Sequence, residues 1–289
     1  MNSNVVNNIT FILFSFNEEH RIEHVVRNLV PYGEVYLLDG GSTDKTQEIA
    51  ERWGAHFVTR PVIKTAHVET QEMFEFAKSL VKTEWIYWSY VDNLLPKTLL
   101  DKMAELSHQE KYAYVYVPIY TYLWGEIKHP IIKASYANFF KKDLMDFSNN
   151  RMHGVGKFMG SETQILHLPN KLEYAIRHFS LYDLNKFVSG HLRYSNAEAE
   201  EKLATGKKFS LWYMFGSMGH YFYLFYKRGW KAGTRGLFIS LLYVFFRLMV
   251  FVKLFELEQG ITLDSIEAEF VKEKKKIVAE VERAGETKL

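Results

Sequence analysis

Short apolar runs alternate with amphipathic stretches from residue 9 to about residue 117 of this 289-residue chain. The apolar runs have the length of buried strands. The stretches between them have apolar residues at three- and four-residue spacing, which is typical of helices. The runs are ITFILFSF, EVYLLD, AHFVTR, EWIYWSYV and YAYVYVPIY, and the helical stretches are EEHRIEHVVRNLV, TDKTQEIAERW, ETQEMFEFAKSLV and PKTLLDKMAELSH. Strands that alternate with helices predict a mostly parallel sheet covered by helices on both faces.

Polar residues follow three of the predicted strands. They are Ser15–Glu19 after the first strand, Asp39–Asp44 after the second and Tyr90–Asn93 after the fourth. Because ligands of open parallel sheets bind outside the carboxyl ends of the strands, we expect these three segments on one rim. Each segment taken alone is also a good turn, and Thr43 or Asp44 would serve as a helix cap.

The residue types at these strand ends suit a nucleotide. The carboxylate of Asp39 can accept the N–H of a base such as uracil, and the backbone N–H groups of the following helix can receive an anion. Asp92 is the only acid of the third segment. A divalent ion that holds a diphosphate takes one or two carboxylates, so Asp92 is a candidate metal ligand. The alternative for Asp92 is a capping role before Pro96.

Together, FNEE, DGGSTDKT and WIYWSYVDN resemble the family-two glycosyltransferases over roughly residues 9–115. The resemblance implies a GT-A-type, Rossmann-like α/β fold with a mostly parallel sheet and helices on both faces. It also implies an inverting transfer of a sugar from a nucleotide diphosphate sugar, with a UDP-sugar as the favoured donor and Mg²⁺ or Mn²⁺ as the metal. By the same resemblance, the nucleotide pocket is lined by Ser15, Asn17 and Glu18, the base is contacted by Asp39, and the metal is bound by Asp92.

One position departs from the family pattern. Tyr90 stands where the first aspartate of the DxD motif is usual, and Asn93 stands where a glutamate often follows. The site has therefore lost a charge, which predicts weaker or absent metal dependence.

An inverting transfer needs a base that takes the proton of the acceptor hydroxyl. Glu162, in GSETQ, follows a glycine-rich loop at roughly the place where relatives have a catalytic carboxylate, and we assign it as the base. The rival candidates are Asp143, Asp146 and His153. The alternative is that Glu162 is a solvent-exposed loop residue without a catalytic role.

Basic and aromatic residues further along the chain are candidates for holding donor or acceptor phosphate. They are His178, Lys186, His191, Arg193 and Tyr194, with Lys64 and His67 as weaker candidates for the donor phosphates. The alternative is a set of unrelated surface residues. The histidines lack metal-ligand spacing on a helix, so no zinc site is expected.

Aromatic residues make up 16 % of the chain and crowd its second half. Arg247 and Lys253 interrupt the longest apolar run, which leaves it short of an ordinary spanning helix. We therefore expect amphipathic helices over residues 209–260 that lie in a membrane interface or form a dimer face. The segments HFS, YSNAEAEEKLATGKK and YKRGWKAGTRGLF resemble a branch of the family that acts on lipid-linked or cell-envelope saccharides.

The predicted organisation is a catalytic domain over residues 1–208, the amphipathic helices over 209–260 and a charged helical tail over 261–289. The nucleotide-sugar half covers about 1–117 and the acceptor half about 118–208. With 36 basic and 34 acidic residues, the balance of charge argues against nucleic acid as a partner. No cysteine is present, and the first ten residues lack the order of a secretory signal. We expect a cytoplasmic protein, peripheral at the inner face of the cell membrane.

Three other functions compete with this hypothesis. A sugar nucleotidyltransferase of the same fold is disfavoured because Ser15–Glu19 contains no glycine. A membrane-associated scaffold that binds a nucleotide sugar without catalysis gains support from Tyr90. A transferase with a protein acceptor is the third, and the membrane-like helices argue against it.

Overall fold

The structure is a computed structural model that describes residues 8–62, 68–148, 150 and 154–286, with side chains through residue 283. The chain divides into two compact units, which are described separately. The first contains Met1–Leu184 and Arg228–Gly236, and the second contains Asn185–Lys227 and Leu237–Leu289.

A nine-stranded sheet forms the centre of the first unit, in the order β3-β2-β1-β4-β7-β6-β11-β5, with β10 beside β6. β8 and β9 form a separate two-stranded ribbon. The strands are β1 (Ile9–Ser15), β2 (Glu34–Asp39), β3 (His56–Thr59), β4 (Trp85–Tyr90), β5 (Asn93–Leu94), β6 (Tyr114–Leu123), β7 (Ile132–Lys141), β8 (Met145–Asp146), β9 (Lys157–Phe158), β10 (Ile165–His167) and β11 (Ile176–Ser180). β1, β2, β3 and β4 pair in parallel, as do β6, β10 and β11, whereas β7 is antiparallel to both of its neighbours.

Helices cover both faces of this sheet. They are α1 (Ile22–Leu29), α2 (Thr46–Arg52), α3 (Gln71–Leu80) and α4 (Lys97–Ser107). Phe11 and Leu13 of β1 pack in the core shared with α1, α2 and α4. The alternate residues Ile12 and Phe14 pack on the other face, against α3. β1 is buried along its whole length because both faces are covered. The predicted α/β fold, with a mostly parallel sheet between helices, is confirmed.

The register of the sheet places the three polar segments at one edge. Ser15 lies opposite Asp39 in the β1–β2 pair, and Phe14 lies opposite Tyr90 in the β1–β4 pair. Since these strands are parallel, their carboxyl ends meet at the same edge, which we call the carboxyl edge.

The second unit is helical. Its helices are α5 (Leu184–Ala204), α6 (Leu211–Gly229), α7 (Thr234–Gln259) and α8 (Leu263–Glu286). The first residues of α5 and α7 and the last residues of α6 are assigned to the first unit. Its small core includes Ala199, Met214, Phe251 and Leu254. α8 is exposed along almost its whole length and carries ion pairs within the helix, such as Lys272 with Glu269.

α5 begins at Leu184, and Ser195 lies inside it and donates its hydroxyl hydrogen bond to the carbonyl of His191. One expectation about the helices changes. The apolar run that we judged too interrupted to span is one continuous helix, α7. Among the described residues, α7 alone is long and apolar enough to cross a membrane by length and composition.

Candidate functional site

Asp39 lies buried at the carboxyl edge, where four hydrogen bonds converge on its carboxylate. Oδ1 accepts from the hydroxyls of Ser15 (2.7 Å) and Ser42 (2.6 Å). Oδ2 accepts from the backbone N–H groups of Gly41 (2.8 Å) and Ser42 (2.6 Å). Gly41 has φ of +95°, a conformation that favours glycine, and this turns its N–H back toward the carboxylate.

These contacts fill the usual capacity of a carboxylate, which is about four acceptor positions. A base N–H bound at Asp39 therefore has to displace one donor, and the hydroxyls of Ser15 and Ser42 can rotate away, whereas the backbone donors cannot. Burial raises the pKa of Asp39, but the hydrogen bonds from Ser42, Ser15 and Gly41 outweigh it, so the pKa is lowered overall. Asp39 is thus an ionised group that organises the turn after β2.

The loop after β1 is tied to the start of α2. Five hydrogen bonds join them: Asn17 N–H to Ser42 Oγ (2.7 Å), Thr43 N–H to Asn17 Oδ1 (2.9 Å), Glu18 N–H to Thr46 Oγ1 (2.7 Å), Glu19 N–H to Asp44 Oδ2 (3.1 Å) and Lys45 N–H to Glu19 Oε2 (3.1 Å). The backbone donors of Thr43 and Lys45 are therefore engaged by side chains of the first loop. The N–H of Thr46, the first residue of α2, likewise donates to Oδ1 of Asp44 (3.0 Å), so these three backbone donors are satisfied within the protein.

Asp92 and His178 meet at the same edge. Oδ2 of Asp92 lies 3.1 Å from Nε2 of His178, and Nδ1 of that ring lies 3.1 Å from Oγ1 of Thr121. The backbone also joins them, because the N–H of Phe179 donates to the carbonyl of Asp92 (2.9 Å). If Thr121 donates to Nδ1, His178 is left with a proton on Nε2 that it donates to Asp92. His178, predicted to hold phosphate, is thus the partner of the predicted metal ligand.

A cation missed by the sequence analysis also faces Asp92. Arg21, in the loop before α1, forms an ion pair with Glu18 and lies over the ring of Tyr182, 4.8 Å from its centroid. Burial raises the pKa of Asp92, but His178, followed by the charge of Arg21, lowers it more, so the pKa lies below its usual value. The only sequence signal for Arg21 was its place directly after the FNEEH segment.

Tyr90, the departure from the family pattern, donates its hydroxyl hydrogen bond to the carboxylate of Glu69. Glu69 is 3 % exposed, and its backbone carbonyl accepts from the side chain of Asn150 (2.9 Å). Arg60 lies nearby, and its pKa is lowered by burial although the charges of Asp39 and Tyr90 partly oppose this. An acidic side chain is therefore present beside Tyr90, but it is supplied by Glu69, two residues before the start of α3. In the sequence, Glu69 is identifiable only as the first residue of the helical stretch ETQEMFEFAKSLV.

Glu162 lies at the other edge of the sheet. It is exposed in a short 3₁₀ helix directly before β10, whose first residue pairs with Tyr114 at the amino end of β6. His178 pairs with Thr121, seven residues further along β6, which is about 23 Å at the rise of a strand. The structure does not bring Glu162 together with Asp92, and a general base must lie within hydrogen-bond reach of the acceptor hydroxyl.

Two of the rival bases, Asp143 and Asp146, are engaged in contacts of their own. Asp143 follows β7 at the end where Lys141 pairs with Trp85, the first residue of β4, and it forms an ion pair with Lys78 (2.7 Å). Asp146 lies in the β8–β9 ribbon and accepts from the N–H of Ser148 (2.8 Å). His153, Lys64 and His67 lie outside the described residues.

The predicted basic cluster is divided between the two units. His178 belongs to the first unit, whereas Lys186, His191, Arg193 and Tyr194 lie on α5 in the second. His191 packs among aromatic rings, with centroids 3.7 Å from Phe187 and 5.1 Å from Phe246. His191 is therefore a half-buried residue that packs against aromatic rings of the helical unit.

The residues at Asp92 fit a divalent cation whose other ligands are phosphate oxygens and water. Within the described part of the chain, no group of three or more histidine and acidic side chains is placed to hold an ion. Oδ1 of Asp92 is buried and finds no hydrogen-bond partner among the described residues. Mg²⁺ commonly takes one or two carboxylates and completes its shell with phosphate oxygens and water. Asp92 is suited to that part, with His178 orienting its carboxylate.

Known proteins resemble this chain along most of its length. An uncharacterized glycosyltransferase of Rickettsia conorii is 24 % identical over 266 residues, which cover 89 % of this chain and 93 % of the relative. An uncharacterized glycosyltransferase of Rickettsia typhi is 26 % identical over 269 residues, covering 86 % of each.

Solved structures resemble it more distantly. A mannosyltransferase of Pyrobaculum calidifontis, in complex with GDP-Man and Mn²⁺, is 12 % identical with a TM-score of 0.43, covering 95 % of this chain and 81 % of that one. Glucosyl-3-phosphoglycerate synthase of Mycobacterium tuberculosis, in complex with Mn²⁺, UDP and glucosyl-3-phosphoglycerate, is 22 % identical with a TM-score of 0.30. That match covers 40 % of this chain and 44 % of the synthase, so the chain spans less than half of that enzyme.

The sequence profile of the family described as "Glycosyl transferase family 2" matches residues 10–181. This segment contains the carboxyl edge with Asp39, Asp92 and His178. Because it spans more than half of the 289 residues, the chain belongs to glycosyl transferase family 2 and is a glycosyltransferase.

Proposed function

We propose that this glycosyltransferase moves a hexosyl group from a nucleotide diphosphate sugar, with a UDP-sugar as the favoured donor, to a lipid-linked or cell-envelope saccharide. We propose further that the transfer inverts the anomeric centre. The observation that carries the proposal is the convergence of three polar strand ends at one edge of the sheet, with Asp39 and Asp92 both ionised there.

The donor site is proposed to use these residues in two parts. Asp39, with Ser15 and Asn17, supports the turn that receives the nucleoside, and a hydroxyl of Ser15 or Ser42 gives way to the base. Asp92, held by His178, lies where the diphosphate is expected, with Arg21 as a second positive group. Glu18 forms an ion pair with Arg21 and so acts on the site through that cation.

The reaction itself breaks one bond and forms another. The acceptor oxygen attacks the anomeric carbon from the face opposite the diphosphate, its proton passes to a base, and the nucleotide diphosphate leaves with the electrons of the broken C–O bond. A divalent cation, when bound at Asp92, supplies positive charge for the leaving diphosphate. Arg21 would add to that charge. Glu162, our candidate for the base, lies at the far edge of the sheet, so its role has no support from geometry.

The placement of the acceptor is also part of the proposal. The aromatic helices of the second unit favour a protein that works in the cytoplasm at the inner face of the cell membrane, where lipid-linked saccharides are accessible. The resemblance of HFS and the segments that follow it to an envelope-directed branch of the family supports the same acceptor class.

A thermal-shift screen of UDP- and GDP-sugars, with and without Mn²⁺, tests the donor. A ligand at one hundred times its Kd stabilises the folded state by about 2.7 kcal/mol, which is easily seen. NMR of the product then gives the anomeric configuration of the new bond. If no nucleotide sugar stabilises the protein or is consumed with membranes present, the proposal is wrong.

A non-catalytic scaffold is the second candidate, and Tyr90 in place of the usual acid favours it. The scaffold predicts that nucleotide sugar binds but no free nucleotide diphosphate accumulates. Release of nucleotide diphosphate that depends on added membrane lipid would exclude it. Transfer to a protein would instead give a labelled protein band.

A further inference from the structure

One segment of the chain, which includes parts of both units, is rich in basic residues and contains no acid. Three of its basic residues pair with acids outside it, Lys202 and Arg247 with Glu198 and Lys253 with Glu256. Between Glu201 and Glu256 the chain has nine basic residues and no aspartate or glutamate. The chain as a whole has nearly equal numbers of basic and acidic residues, so this asymmetry is local. It covers all of α6 and most of α7.

α6 has two faces that differ sharply in exposure. Trp212, Phe215, Tyr223 and Tyr226 are 88 %, 58 %, 62 % and 43 % exposed, and their spacing places them on one side of the helix, with Gly219 between them. We call these four residues the aromatic stripe.

The opposite side of α6 packs into the helical unit. Met214 and Phe225 are buried there, and the hydroxyl of Ser217 accepts from Nε of Arg247 on α7 (3.1 Å). The packing within the unit therefore fixes which side of α6 faces outward.

Arg247 interrupts the apolar sequence of α7 and is satisfied inside the protein. Arg247 is 4 % exposed, and its guanidinium donates to both carboxylate oxygens of Glu198 on α5, at 2.8 Å and 2.7 Å. Removing one partner of such a pair leaves the other charge without its partner inside the protein, which is strongly destabilising.

This ion pair decides how α7 can meet a membrane. If α7 crossed a bilayer, Arg247 would have to leave Glu198 or take α5 with it. α5 carries two adjacent exposed acids, Glu200 and Glu201, so moving α5 into the hydrocarbon core of a bilayer is strongly unfavourable. Helices that keep these contacts can lie in the interface but cannot span.

We propose that the aromatic stripe of α6 docks this protein on an anionic lipid bilayer, with the helical unit lying in the interface rather than spanning it. Exposed tryptophan and tyrosine suit the headgroup region. Lys207 and Lys208 precede the stripe and Lys227 follows it, all three exposed, so the charges that flank the stripe complement anionic headgroups. The inference deepens the proposed function by naming the lipid class, but it does not depend on which sugar is transferred.

Co-sedimentation of the full-length protein with vesicles tests the proposal. Phosphatidylcholine vesicles are compared with an equimolar mixture of phosphatidylcholine and phosphatidylglycerol. We expect binding to the anionic vesicles only, weakened at high salt because surface charges are screened. Carbonate at alkaline pH should release the bound protein, as it releases peripheral proteins. Binding to neutral vesicles alone, no binding to either, or resistance to carbonate would overturn the proposal.

Two pairs of variants locate the surface. Phe215→Ser removes a stripe residue, and Phe270→Ser removes a phenylalanine on α8 that is equally exposed, at 58 %. We expect Phe215→Ser to weaken vesicle binding about tenfold and Phe270→Ser to leave it unchanged, because only the ring at position 215 is proposed to be buried in the bilayer interface. The double variant Lys207→Glu, Lys208→Glu should weaken binding at least about 30-fold, since two charges that attract anionic headgroups become charges that repel them. Lys274→Glu, Lys275→Glu is the matched control on α8.

Equal effects in the two members of either pair would overturn the proposal. A stripe variant that converts a stable dimer to a monomer would also overturn it, because the stripe would then be a subunit interface. UDP affinity measured without vesicles is expected to be unchanged in Phe215→Ser. A wild-type protein that binds vesicles but no nucleotide would disprove the proposed function and leave the docking surface standing.

Discussion

Nε2 of His178 lies 3.1 Å from Oδ2 of Asp92, although the two residues are 86 positions apart in the chain. The contact exists because β11 lies between β6 and β5, which pairs His178 with Thr121 on one side and with Asn93 on the other. A family-two glycosyltransferase that has tyrosine at position 90 thus keeps an oriented carboxylate at position 92.

This contact predicts that His178 acts through Asp92. His178→Ala should lower Mn²⁺-dependent affinity for the donor nucleotide about 10–100-fold, because residues that orient a metal ligand have effects of this size. Isothermal titration of UDP or GDP, with and without Mn²⁺, measures it. His220→Ala, an exposed histidine on α6, is the control. An equal loss of affinity with and without Mn²⁺ would argue for direct contact of His178 with the nucleotide instead.

Asp39 predicts a dependence of stability on pH. Its pKa in the folded state is lowered by hydrogen bonds, so its contribution to stability is complete above the pKa of the unfolded chain. That contribution is lost as the pH falls through the folded-state value. Asp39→Asn should cost about 1.5–3 kcal/mol near neutral pH, because an amide turns one acceptor into a donor that faces the N–H groups of Gly41 and Ser42.

Urea unfolding from neutral to acidic pH checks this prediction. The difference in unfolding free energy between wild type and Asp39→Asn should shrink at the acidic end. Asp264→Asn, at an exposed acid on α8, serves as the control for general effects of charge. A difference that stays constant over the whole pH range would show that the carboxylate charge at position 39 is not what stabilises the turn.

The pair of Tyr90 and Glu69 predicts energetic coupling. Tyr90→Phe removes the donor to a buried carboxylate and should lower the free energy of unfolding by about 1–3 kcal/mol. The double variant Tyr90→Phe, Glu69→Gln should cost less than the sum of the single variants, because both changes remove the same interaction. Denaturant unfolding of the four proteins measures the coupling, and additive costs would mean that the pair contributes little.

The position of Glu162 in the sheet predicts that its substitution has little effect on the rate of transfer, although its sequence context resembles that of a catalytic carboxylate. Because Glu162 lies near the amino end of β6, Glu162→Gln should leave the rate of transfer within a few-fold of wild type. Loss of a true general base typically costs about 10²–10⁴-fold in rate. A loss in that range, with donor affinity intact, would establish Glu162 as the base and require a different arrangement of this segment during catalysis.

The sequence alone determined the architecture and the edge of the sheet where the three polar segments meet. Periodicity identified β1 to β4 and their helices because apolar spacing is a local property that burial on two faces imposes. The polar ends Ser15–Glu19, Asp39–Asp44 and Tyr90–Asn93 could be placed on one rim because parallel strands share their carboxyl ends.

Only the tertiary structure decided which side chains meet. The register of β10 and β11 on β6 places His178 beside Asp92 and Glu162 far from it, and register depends on packing across the whole sheet. The contacts of Tyr90 with Glu69 and of Arg247 with Glu198 likewise join distant parts of the chain. No local pattern encodes them, because the identity of a buried partner is fixed only when separate elements pack together.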